Sequence, residues 1–203
     1  MIDLNKLAEV SNTIACEKGW WDGSPRSVAA LTLLMQSENA EALEDYRNNK
    51  GLNEVWYEVK YVTPSEGAAK KTMTKGDLDA LRADPVITVA DAKPCGIPIE
   101  IADTLIRVAD YAAHRSLDLN AEHKKLPVGR SGQDFEEALA ESNYWIALAW
   151  KHQKDGPIAE YMTKAADCLI LMCQNKGIDI EGAIEEKTAF NRTRPRRHGG
   201  KKI

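Results

Sequence analysis

Two acidic pairs stand at helical spacing in this sequence, Glu38-Asn-Ala-Glu41 and Glu100-Ile-Ala-Asp103, and a cationic segment closes it. Side chains three apart on a helix have Cβ atoms about 5–6 Å from one another, so each pair can converge on one ion. Oxygen ligands suit Mg²⁺ or Mn²⁺, which keep waters and substrate phosphates in an octahedral shell. The closing segment carries Arg192, Arg194, Arg196, Arg197, Lys201 and Lys202 together with His198. Guanidinium forks and lysines match the oxygens of a polyphosphate. Carboxylates for a hard cation, with cations for phosphates, point to metal-dependent chemistry on nucleoside triphosphates.

The first pair reads as inward-facing. Projected at about 100° per residue, Leu31, Leu34, Met35 and Ala42 share an arc with Glu38, Glu41 and Asp45. A solvated acidic face would lie opposite. Each buried carboxylate loses on the order of several kcal/mol of hydration, a conflict that a divalent cation resolves. Around the second pair, Glu100, Asp103, Arg107 and Asp110 form a polar stripe beside Ile101, Ala102, Leu105, Ile106 and Val108. Two such helices face to face would supply four metal ligands, Glu38, Glu41, Glu100 and Asp103, with Glu41 orienting water. Glu38→Gln or Asp103→Asn should then end turnover and leave the fold intact or stabilised, since each removes a repulsive charge.

Lys187, Asn191 and Arg194 fall at i, i+4 and i+7, one face of a helix end before Pro195. Gly199-Gly200 lets backbone approach a ligand closely. With His198 and Lys201, these are the expected substrate contacts. A solubilising tail and a nucleic-acid arm are the other readings of such a composition. The rival function is therefore a non-catalytic helical nucleic-acid-binding protein. Trp20-Trp21 offers aromatic faces for a base; at least one should serve the core, and Trp21 is the expected base contact.

These residues need a scaffold, and 203 residues suffice for one well-buried core. Hydrophobic content of 43% and charged content of 29% are ordinary for a globular protein. No apolar run approaches the roughly 18 residues of a membrane helix. The first residues lack a basic-then-apolar leader, so a cytoplasmic protein is expected. Cys16, Cys95, Cys168 and Cys173 form no Cys-x-x-Cys pair and read as reduced thiols.

Periodicity predicts a mainly α-helical bundle with a small β-arm, in a single domain over 1–203. Helices are expected over 4–18, from Ser24-Pro25 (cap and first-turn proline) to about Asn48, and from Gly96 to about Arg115. Two more fit 133–153 and 157–176, and Asp179 caps a short one to about Phe190. Residues 117–132 read as a loop. Between the two acidic helices, 52–96 reads as a strand pair, Val55–Val62 and Val86–Val89, with a short helix near 76–83. Ala102-Asp-Thr-Leu-Ile106 echoes Ala166-Asp-Cys-Leu-Ile170, with Glu100 opposite Lys164. Either a degenerate repeat or chance likeness of two amphipathic helices accounts for that echo.

Four stretches resemble the MazG-like nucleoside triphosphate pyrophosphohydrolases of the all-α NTP pyrophosphatase superfamily. They are Lys18-Gly-Trp-Trp-Asp22, Ser37-Glu-Asn-Ala-Glu-Ala-Leu-Glu44, Lys93-Pro-Cys-Gly-Ile-Pro-Ile-Glu-Ile-Ala-Asp103 continuing to Asp110, and Gly177-Ile-Asp-Ile180 through Lys187, Asn191, Arg194-Pro and His198-Gly-Gly-Lys201. The resemblance implies hydrolysis of an NTP or dNTP to monophosphate and pyrophosphate with Mg²⁺. Its Glu-x-x-Glu falls on Glu38 and Glu41, and its Glu-x-x-Asp on Glu100 and Asp103. Ser37 stands where the fuller motif has another Glu, and residues 52–92 and a further helix pair are insertions. A homo-oligomer, a dimer, is expected, with no stable nucleic-acid partner and no membrane.

Overall fold

The computed structural model describes residues 2–23, 26–65, 67–124 and 134–200. Helix α1 (Leu4–Glu17) is capped by Asp3, whose carboxylate accepts from the Lys6 amide at 3.0 Å. Helix α2 (Val28–Arg47) starts after Ser27, not at Ser24-Pro25, which lie outside the described residues. An arm of β1 (Trp56–Thr63), β2 (Gly67–Met73), α3 (Lys75–Ala83) and β3 (Thr88–Cys95) follows. The remaining elements are α4 (Ile97–His114), α5 (Leu119–His123), α6 (Phe135–Lys151), α7 (Ile158–Lys176), α8 (Ile180–Thr193) and the single turn α9 (Arg197–Gly200). Among the described residues, no helix is long and apolar enough to cross a membrane.

Helix α4 is the axis of the bundle. It packs against α1, α2, α7 and α8, and Ile97 through Leu105 are all buried. Apolar residues surround that segment on every side, as a core helix requires. Its acidic stripe is therefore enclosed too. Helices α6 and α7 pair with each other, and α6 also meets α2.

The arm is a three-stranded antiparallel sheet in the order β2-β1-β3, one strand more than the sequence suggests. Strand β2 reads Gly-Ala-Ala-Lys-Lys-Thr-Met, with little β propensity, and forms through pairing with β1 from Tyr57↔Met73 to Thr63↔Gly67. Its lysines suit an edge strand. A bulge at Lys60/Tyr61 interrupts the β1–β3 register. Tyr57, Val59, Met73 and Leu78 give the arm a small core of its own. The segment read as a loop contains α5, capped by Asp118, which accepts from the Ala121 amide at 2.9 Å. Pro127, Gly129 and Gly132 lie outside the described residues. Helix α8 runs to Thr193 rather than Phe190, and Arg194 turns extended because Pro195 disfavours helical backbone before it.

Gly96 joins the arm to α4 with φ +124°, and a Cβ there would lie 2.2 Å from the Glu54 carbonyl oxygen. Gly96→Ala therefore meets both a disallowed backbone conformation and a backbone clash. We expect it to cost at least about 2–4 kcal/mol, measured by urea unfolding. An effect below about 1 kcal/mol would mean that this junction is loose.

Candidate metal centre

Helices α2 and α4 bring three carboxylates together. Glu38, Glu100 and Asp103 are buried, and one oxygen of each lies within 4.8 Å of the others. Two of the three have cationic partners. Arg107 meets Glu38 at 2.8 Å, and Lys187, from α8, meets Asp103 at 3.0 Å. Glu100 Oε2 is buried without a hydrogen-bond partner among the described residues. Such an orphaned oxygen is costly in a folded protein.

The electrostatics follow from burial and partner. Burial pushes the Glu100 carboxyl up to about 8, against the opposing pull of Lys187. Burial also raises Glu38, with Arg107 working the other way. Burial would raise Asp103, but Lys187 and Arg107 together outweigh it and hold the group below its ordinary range. Three buried oxygen donors, one with an oxygen that lacks a hydrogen-bond partner among the described residues, could hold a metal ion.

A cleft of about 330 Å³ opens beside this group. Glu38 and Asp103 line it, as do Glu41, Lys93, Lys187, Asn191, Arg194 and His198. Glu41 is exposed and stands outside the close group, since a three-residue step on α2 turns it from the α4 face toward the rim. Lys187 lies almost wholly inside the bundle, 1% exposed, and its ammonium is bound to Asp103 rather than presented to solvent. Asn191 and Arg194 are half-buried on the cleft wall. Lys201 lies outside the described residues.

The aromatic pair divides its labour in the reverse sense to that expected. Trp21 stacks on His114 with ring centroids 3.6 Å apart and donates to Asp110 Oδ1 at 2.8 Å. Trp20 is the ring that borders the cleft, with the His198 imidazole edge-on at 4.8 Å. The described part of the basic tail is docked through Arg196 and Arg197. The Arg197 amide donates to the Lys18 carbonyl at 2.9 Å, and its guanidinium donates to the carbonyls of Gly19 and Asp22 at 3.0 and 2.7 Å. Arg196 pairs with Asp22.

A polar network that helical periodicity does not reveal fixes these helices. Thr104 donates to Asn39 Oδ1 at 2.9 Å, and Asn39 donates to Asn143 Oδ1 at 2.8 Å, linking α4, α2 and α6. The position of Asn39 and Thr104 next to Glu38 and Asp103 in the chain is the one signal the sequence offers for it. Arg26 and Lys93 are also wall residues, and charge spacing alone does not single them out.

A wider cleft of about 1760 Å³ separates the arm from α8 and shares Lys93, Arg194 and His198 with the smaller one. Lys70 pairs with Glu58 there at 3.0 Å, and the Tyr57 hydroxyl donates to Glu186. The orphaned carboxylate oxygen belongs to the triad beside the smaller cleft. Comparison with protein-family models, curated proteins and solved structures found no match to this chain.

Proposed function

We propose that this chain is a Mg²⁺-dependent nucleoside triphosphate pyrophosphohydrolase, converting an NTP or dNTP to its monophosphate and pyrophosphate. The observation that carries this reading is the buried Glu38–Glu100–Asp103 group with its orphaned oxygen, beside a cleft whose walls include Lys93 and Arg194. The resemblance of the motifs to the MazG-like enzymes supports the same assignment.

Glu38, Glu100 and Asp103 would hold the ion, which when bound polarises a phosphate and acidifies water. Arg107 and Lys187 fix the Glu38 and Asp103 carboxylates in place. Lys93 and Arg194 supply counter-charge to the departing pyrophosphate, a role that matters most where charge develops. Glu41, at the rim, would accept a hydrogen bond from the water that attacks the α-phosphorus. The P–O bond from the α-phosphorus to the β-bridging oxygen breaks, and the water oxygen remains on the monophosphate.

Arg196 and Arg197 are engaged with the segment 18–22, which counts against their serving as part of a free nucleic-acid arm. The deciding experiment is incubation with the eight common NTPs and dNTPs. We expect pyrophosphate release that requires Mg²⁺ and stops with EDTA. No pyrophosphate from any nucleotide, with retention of RNA or DNA instead, would favour the rival reading.

A further inference from the structure

Beyond the acidic triad, the lining of the small cleft is built differently. Ile14 and Leu34 contribute apolar surface, with Ile106 and the Trp20 ring. Two buried polar side chains, Ser11 and Arg26, line the same cleft. Ser11 is 5% exposed and its hydroxyl has no hydrogen-bond partner among the described residues. The Arg26 side chain is 8% exposed, and its Nε is unpartnered among the described residues. Unsatisfied buried donors are rare unless something else completes them.

Arg26 is held firmly. Its guanidinium lies 5.5 and 5.0 Å from the rings of Trp20 and Trp21, and Nη1 stands 3.6 Å from Asp110. Asp110 accepts from Asn12 and Trp21 on Oδ1, at 2.8 Å each, and faces Arg26 Nη1 with Oδ2, which leaves Arg26 Nε without a partner among the described residues. The site therefore offers a guanidinium N–H that can only donate and a hydroxyl that can turn to suit. Apolar side chains and an indole beside unpartnered buried polar atoms match a planar heterocycle whose edge presents acceptors.

We propose that this part of the cleft lining is a nucleobase subsite, in which Ser11 and Arg26 select bases with a keto edge. Guanine presents O6 and N7, and thymine or uracil presents O4, where cytosine and adenine present an amino group. An amino donor facing the Arg26 N–H leaves both unpaired, and buried hydrogen-bonding sites reject such mismatches strongly. The inference rests on the proposed hydrolase reading for its substrate class, but its binding test does not need turnover.

Isothermal titration calorimetry of the intact protein with GMP, UMP, AMP and CMP tests it. We expect GMP and UMP to bind about tenfold more tightly than AMP and CMP, the equivalent of one well-made hydrogen bond. Arg26→Met should erase that preference while leaving AMP and CMP affinities unchanged. Ser11→Ala, which removes an unpartnered hydroxyl and should fold normally, is expected to narrow the gap several-fold. Equal affinities in the wild type, no measurable binding, or a preference that survives both substitutions would each overturn the subsite. Pyrophosphate release with a flat base profile would remove the subsite and spare the hydrolase. A keto preference in binding with no release would do the reverse.

Discussion

Asp103→Asn is expected to lower pyrophosphate release by about 10²–10³-fold or more and, in the same protein, to lower the melting temperature. The first effect follows from loss of a carboxylate ligand. The second follows from Lys187, whose ammonium is buried and bound to Asp103 at 3.0 Å. Removing one partner of a buried pair strands the other, at a cost of about 3 kcal/mol. In a chain of this size each kcal/mol moves the midpoint by roughly 2–4 °C. The charge pattern in the sequence suggests the opposite, a fold left intact or stabilised, because it shows repulsion among acids without the lysine between them. Scanning calorimetry of the metal-free protein separates the two. Adding Lys187→Met to Asp103→Asn should restore the melting temperature and leave turnover lost. Glu38→Gln should also end turnover but cost less stability, since its partner Arg107 remains 30% exposed and can be solvated. Unchanged melting in Asp103→Asn would dismiss the buried pair, and surviving activity would dismiss the metal centre.

Glu100→Gln should behave differently, stabilising the metal-free protein while abolishing its response to Mg²⁺. Glu100 carries the orphaned oxygen, and burial pushes its carboxyl from 4.5 to about 8. The folded state therefore keeps this proton to higher pH than the unfolded chain does. Metal-free stability should fall as pH rises from about 4.5 and level off above about 8, a penalty on the order of a few kcal/mol. The glutamine variant lacks that penalty, so its advantage should be largest at pH 8–9 and absent near pH 4. Thermal unfolding across that range, with and without Mg²⁺, is the measurement. A wild type whose stability does not decline between pH 5 and 8, or a variant still stabilised by Mg²⁺, would show that Glu100 is no ligand.

Local sequence determined much of this protein. Helix limits follow from caps and breakers such as Asp3, Asp179 and Pro195, which act within a few residues and so can be read in order along the chain. The pairing of Glu38 with Glu100 and Asp103 was legible because acids on an apolar helical face are too costly to bury without a cation to meet them. Strand β2 was not, since Ala and Lys become extended there only through the partner strand. Helix α5 was too short to show a period.

The tertiary structure decided everything that depended on which faces meet. It placed Glu41 at the rim, gave Lys187 to Asp103, turned Trp21 onto His114 and left Trp20 at the cleft. Periodicity fixes a side chain's angle about its own helix but not the rotation of that helix against its neighbours. Whether a cation reaches substrate or a nearby carboxylate depends on that rotation, and only the packed bundle sets it.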